Sequence, residues 1–241
     1  MESFDDLGVS PDLVEALAAE GIEGPTAFQE MALPVLLRGN SLVAQAGPGG
    51  GTLVAYGIPL LQAVDPEAEA PRGLVLCPTP QGASRLAESL SRLAQVSGHR
   101  VAALGSPWVL PELASILFAT PEDTLREVRS SHISLEGVES VVVDGYGAFL
   151  PAARESLEAL LEILPREGQR ILLALPLTQE AEAFARAHLH RAVHLPPRAA
   201  QLGLEDAPPR RGQVSYRVTG ETKDGEVLQT VARALGEGAR H

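Results

Sequence analysis

Residues 42–61 read LVAQAGPGGGTLVAYGIPLL: a short apolar run, a glycine-rich turn, and a stretch with helical period. That succession of strand, turn and helix is the repeating unit of a parallel α/β sheet. A glycine-rich turn that runs into a helix can point successive backbone N–H groups at an anion, and the helix dipole adds to the attraction. The segment AGPGGGTL, Ala46 to Leu53, approaches a phosphate-binding P-loop and then departs from it. Such a loop needs a lysine for the β- and γ-phosphates, followed by a Ser or Thr hydroxyl for Mg²⁺. Gly47, Gly49, Gly50 and Gly51 supply the turn, but Thr52 stands at the lysine position and Leu53 at the hydroxyl position. The competing reading of the segment is a strand-to-helix turn that binds nothing.

Working outward, the same alternation repeats along the chain. Strands are predicted at Leu42 to Ala46, Gly73 to Cys77, Arg100 to Leu104, Ile116 to Ala119, Ser140 to Asp144, Arg170 to Ala174 and Ala192 to Leu195. Helices are predicted near 11–20, 28–37, 52–63, 81–95, 121–130, 152–163 and 178–188. The fold class is therefore α/β, a doubly wound, mostly parallel sheet of about seven strands, in which ligands sit outside the carboxyl ends of the strands. The segment PPRAAQLGLEDAPPRRG, residues 196–212, is rich in proline and small residues and reads as a linker. The first domain is expected to span 1–195. Residues 213–241 hold one strand-like and one helix-like stretch, too little for an independent core, and read as the start of a second domain or a docked tail.

Composition narrows the function. Of 241 residues, 19 are basic and 31 acidic, a formal net charge of −12, which repels a phosphate backbone unless a local basic patch overrides it. Every basic residue except Lys223 is arginine, so no lysine precedes that position. The single cysteine, Cys77, cannot form an intramolecular disulfide. The acidic start MESFDD and the lack of any apolar run near the roughly 18 residues of a membrane span point to a cytoplasmic setting.

Other strand ends carry the remaining candidates. SVVVDGYG ends a core strand on Asp144, the layout of an aspartate that holds Mg²⁺ beside a nucleotide, but Gly145 follows where an acid would orient the attacking water. The bland reading of Asp144 is a turn or cap residue. HLHRAVH, with His188, His190 and His194, matches metal-ligand spacing poorly. Cys77, behind an apolar strand, reads as a small buried hydrophobe.

These segments together resemble the first RecA-like domain of the DEAD-box helicase family, a P-loop NTPase-like fold, over nearly the whole chain. Phe4, Gly21 and PTAFQEMALPVLLRGNSLVAQA resemble the family's Q motif and first strand, with Pro25, Thr26, Pro34 and Gly39 at family positions. The resemblance implies that Gln29 reads the adenine edge and that Phe4 stacks on the base. It continues through Tyr56, Ile58, Pro59 and Leu60, which fixes the register and places Thr52 at the lysine.

Later motifs keep their places and change their residues. PTPQG, from Pro78 and Thr79 to Gly82, stands for PTREL; TPED, from Thr120 and Pro121 to Asp123, stands for TPGR; DGYG stands for DEAD and ALP, Ala174 to Pro176, for SAT. By resemblance Pro78, Thr79, Gly105, Thr120 and Pro121 lie where the family meets RNA, but Glu122 and Asp123 put two carboxylates there. Trp108 lies in the loop that carries the family's glycine pair. Residues from Gln213 onward resemble the opening of the second RecA-like domain.

The implied cofactor is an adenine nucleotide with Mg²⁺, held by Phe4, Pro25, Gln29, the loop glycines, Thr52 and Asp144. The expectation from the altered motifs is a protein without ATPase or unwinding activity that acts through another protein, with RNA binding weak or absent. The alternatives are a fragment or subunit of a divergent ATP-dependent RNA helicase, and a nucleotide sensor without turnover.

Overall fold

The computed structural model describes residues 2–105 and 110–196. The expectations for Trp108, for the linker beyond Pro196 and for residues 213–241 lie outside them.

Seven strands form one sheet: β1 (Leu42–Gln45), β2 (Gly73–Leu76), β3 (Val101–Ala103), β4 (Ile116–Ala119), β5 (Ser140–Asp144), β6 (Gln169–Ala174) and β7 (Val193–Leu195), in the order β3-β4-β2-β5-β6-β1-β7. Every described pairing is parallel, where the sequence predicts a mostly parallel sheet. Among the described residues there are seven α-helices: α1 (Pro11–Ala19) and α2 (Ala27–Leu36) precede β1, and α3 (Thr52–Ala63), α4 (Pro80–Ala94), α5 (Pro121–Arg129), α6 (Pro151–Ile163) and α7 (Gln179–His188) lie between strands. Predicted and observed elements differ by a residue at their ends. Ala46, for example, still donates its N–H to Ala174 O at 3.1 Å but already belongs to the glycine turn.

Side-chain alternation divides the core in two. Ala44, Val75, Phe118, Val142 and Leu173 join the residues of α1 to α4 on one face, while Val43, Leu74, Leu117, Val143 and Leu172 join those of α5 to α7 on the other. A strand sends successive side chains to opposite faces, and both faces here are covered by helices, so the central strands are apolar on both faces, with polar residues such as Gln45, Ser140, Asp144, Gln169 and Arg170 at their ends. Each fully buried aliphatic side chain of this kind contributes about 1.5–3 kcal/mol. Among the described residues no helix is long and apolar enough to cross a membrane.

Candidate nucleotide site

Parallel pairing brings the ends of β1, β5 and β6 side by side, and the candidate residues follow those ends. β1 runs into Gly47–Gly51, which turns into α3. Gly49 (φ 85°) and Gly51 (φ 73°) adopt the left-handed conformation, and Gly50 N–H closes the turn on Gly47 O at 3.1 Å. No side chain caps α3, so the positive end of the helix dipole faces the loop. Thr52 is its first residue.

The start of α2 grips this loop from outside. Thr26 and Gln29 form a reciprocal capping box: Thr26 N–H donates to Gln29 Oε1 at 2.8 Å and Gln29 N–H donates to Thr26 Oγ1 at 3.2 Å. Gln29 Nε2 then donates to Gly51 O at 2.9 Å, and the Thr26 hydroxyl donates to Gly50 O at 3.1 Å. The Gln29 amide, the predicted adenine reader, is thus already engaged at both ends, with one amide proton and part of its carbonyl capacity left. Pro25 is buried beside it. Phe4 corrects the expectation of base stacking: it is 3% exposed and belongs to the core packed against α1 to α4, so neither ring face is free.

Asp144, at the end of β5, is half-buried. Its Oδ2 accepts a hydrogen bond from the Tyr56 phenol at 2.9 Å. Burial holds the Asp144 carboxyl above the usual carboxylate range, and the Tyr56 hydrogen bond opposes that shift. Burial also pushes the Tyr56 phenol well up, with the Asp144 charge adding to it, and pushes the Cys77 thiol up. Sequence reasoning used Tyr56 only to fix register. The signal available was a hydroxyl-bearing aromatic one turn into α3, but its partner lies 88 residues away.

On the loop's other flank, Leu175 follows β6. A Cβ placed on Gly47 would come 2.9 Å from Leu175 Cδ2 and 3.0 Å from its Cβ, so any larger residue there would have to push the exposed Leu175 side chain aside. The predicted RNA-facing threonines both serve as helix caps. Thr79 Oγ1 accepts from Gly82 N–H at 3.1 Å to start α4, and Thr120 Oγ1 accepts from Asp123 N–H at 3.2 Å to start α5. Thr120 and Pro121 are buried, Pro78 is half-buried, and Gly105 is exposed with φ 80°. Asp123 also accepts from the Thr120 hydroxyl at 2.7 Å and pairs with Arg126. In the histidine segment, the His188 ring lies 4.6 Å from Phe184 and His194 Nδ1 lies 3.5 Å from Glu182. Among the described residues no group of three His, Cys, Asp or Glu could hold a metal.

A parallel sheet in this order, with a glycine turn entering a helix and an aspartate ending the strand two places away, defines a RecA-like domain of P-loop type. The chain belongs to the DEAD/DEAH box helicase family, which it matches over residues 26–182. The ATP-dependent RNA helicase dbp9 of Emericella nidulans is 29% identical over 199 residues, covering 76% of this chain and 33% of that protein. The DEAD-box ATP-dependent RNA helicase CshA of Bacillus cereus is 26% identical over 212 residues, covering 85% and 40%. The chain thus spans 33–40% of the length of these curated relatives.

Two solved structures share the fold. One is a DEAD box protein from Methanococcus jannaschii, with TM-score 0.73 and 22% identity over 80% of this chain and 55% of that one. The other is Saccharomyces cerevisiae Dbp5 bound to RNA and ADP BeF3, with TM-score 0.73 and 22% identity over 81% and 52%.

The family implies Mg²⁺ alongside its nucleotide, and the residues present do not fit that ion. Mg²⁺ in nucleotide sites keeps several waters and takes one or two protein carboxylates beside the phosphates, in near-ideal octahedral geometry. Here Leu53 follows Thr52 and Gly145 follows Asp144, so the one remaining carboxylate has no neighbouring oxygen ligand in its own motif and already accepts a phenol proton.

Proposed function

We propose that this chain is the first RecA-like half of a DEAD-box-type protein that does not hydrolyse ATP, acts as an interaction or regulatory module for another protein, and keeps weak adenine-nucleotide binding at its glycine loop. The observation that carries this reading is the opening of α3. An uncapped helix end behind the loop offers backbone N–H groups to an anion, but its first residues are Thr52 and Leu53, and no lysine precedes Lys223. A charge-assisted hydrogen bond contributes about 1.5–3 kcal/mol. Its loss weakens a triphosphate more than an adenosine.

The test is calorimetric titration with adenosine, ADP and ATP plus Mg²⁺, with Gln29→Ala as the control. The expected result is similar affinity for all three, lost in Gln29→Ala although the variant still melts cooperatively. ATP bound much more tightly than adenosine, or ATP turnover that Asp144→Ala removes, would overturn the proposal.

The curated relatives favour a second reading, in which this chain is the amino-terminal part of an ATP-dependent RNA helicase, because both carry that name and both are far longer than the stretch matched here. Unwinding of a short duplex by a product extending past His241 would establish it. In either case the carboxylates of Glu122 and Asp123 and the net charge of −12 support weak RNA binding by this chain.

A further inference from the structure

We infer that Tyr56 is a specificity-determining residue of this site: its phenol satisfies Asp144 in place of a divalent cation, so that ligand binding at the glycine loop is independent of Mg²⁺. This rests on the reading of the loop as an adenine-nucleotide site and adds what that reading leaves open.

Three observations carry it. The first is the hydrogen bond itself, 2.9 Å from the phenol to Asp144 Oδ2, joining α3 to the end of β5 across the site. The second is that the bond cannot be given up cheaply. Tyr56 is 1% exposed and sits in α3 with Ala55, Ile58 and Leu60 buried around it, so its ring has no route to solvent. A cation taking Oδ2 from the phenol would strand a buried hydroxyl, and a buried donor left unpaired carries its full desolvation penalty; a cation on Oδ1 would meet a carboxylate already sharing its charge with the phenol. Cys77, the nearby buried thiol, is a poor substitute acceptor.

The third is the surroundings of the carboxylate. Gly145 has φ 79°, and a Cβ there would sit 3.5 Å from Pro78, so the position next to Asp144 points a hydrogen at an apolar ring rather than a second ligand into the site. Leu53 removes the hydroxyl expected from α3. The arrangement resembles a metal site whose cation has been exchanged for a fixed neutral donor. Such a donor needs no ion from solution and leaves the carboxylate partly compensated.

The experiment has two arms, both on the full chain. In the first, Mn²⁺ alone is titrated and followed by its electron paramagnetic resonance signal. The wild type is expected to bind Mn²⁺ only weakly, and Tyr56→Phe, which frees Asp144, is expected to bind it about tenfold more tightly. In the second, ADP is titrated with Mg²⁺ and with chelator. Wild-type affinity is expected to be the same in both, whereas Tyr56→Phe acquires a Mg²⁺ dependence.

Wild-type Mn²⁺ affinity equal to that of Tyr56→Phe would overturn the inference, as would a tenfold gain in wild-type ADP affinity on adding Mg²⁺. If ADP does not bind under either condition, the nucleotide reading of the loop fails, and the Mn²⁺ arm still decides the role of Tyr56. If Tyr56→Phe does not fold, the wild type alone decides: weak Mn²⁺ binding and Mg²⁺-indifferent ADP binding support the exchange, and the reverse of either refutes it.

Discussion

His99 shows how one buried polar side chain ties distant parts of this sheet together. It is 8% exposed, and its Nε2 lies 2.9 Å from Leu61 O at the end of α3 while Nδ1 lies 3.1 Å from Ser115 Oγ ahead of β4. A carbonyl only accepts, so Nε2 carries a proton, while the Ser115 hydroxyl has its one proton to share between His99 Nδ1 and Arg100 O, 3.2 Å away. Burial lowers the His99 pKa, against the Leu61 carbonyl and Asp65, which raise it, while Arg100 adds to the lowering. The unfolded chain therefore takes up this proton first on acidification. Stability is expected to be level above the unfolded value of about 6.5 and to fall as pH drops from there through the folded value. His188, also lowered by burial, contributes with the same sign. Asp144 has the opposite sign further into acid, because its raised pKa makes the folded state the better proton acceptor. Urea midpoints between pH 5 and pH 8 check this, the limits being about one and a half units either side of the unfolded histidine value. His99→Gln should flatten the decline without removing it, and an unchanged slope would mean that His99 titrates as an exposed imidazole.

At the scale of elements, the positions most costly to change are those where backbones meet. Gly168 precedes β6 with φ 155°, and a Cβ there would stand 2.6 Å from Glu139 O, the same carbonyl that accepts from Gln169 N–H at 2.9 Å to begin the β5–β6 ladder. Neither backbone can yield without losing that pairing. Gly168→Ala is expected to cost about 1–3 kcal/mol, measured by urea unfolding, against less than about 0.5 kcal/mol for Glu167→Ala beside it. The sequence offers no hint of this, because a glycine in a polar turn looks alike whether it faces solvent or a neighbouring strand. The elements themselves were legible, since apolar runs and helical periods reflect burial on both faces of one sheet. The loop at Gly47–Gly51 was legible for the same local reason, Gly49 and Gly51 being favoured by left-handed backbone angles. What sequence could not supply were contacts between distant segments. The resemblance puts Phe4 on a base and it lies in the core, it gives Gln29 the adenine edge and the amide also holds Gly51, and Tyr56 is a register mark and proves to be the partner of Asp144. In each case residue type was visible and direction was not.

At the scale of the whole molecule, a charge of −12 sets the background against which any RNA contact must be made, and the effect is felt most where α5 begins. Asp123 draws Arg126 into an ion pair and accepts from Thr120, so the nearest cation on that helix is committed to an acid on the same helix. Reversing one charge would act twice. Asp123→Arg removes a carboxylate that repels phosphate and leaves Arg126 held only by Glu127, 3.6 Å away. It also forfeits an acid in the first turn of α5, a loss of about 0.3–1 kcal/mol in stability that leaves the fold intact. RNA affinity, read by fluorescence anisotropy with a labelled single strand, is expected to rise severalfold at low salt. Each phosphate newly engaged should steepen the dependence of log K on log salt by about 0.7. The gain should vanish at high salt, because it comes from counterion release rather than from base contacts. An affinity that Asp123→Arg leaves unchanged would show that the acid pair does not set RNA affinity at this face. The net charge would then be acting over the whole surface, and no single reversal at α5 would recover binding.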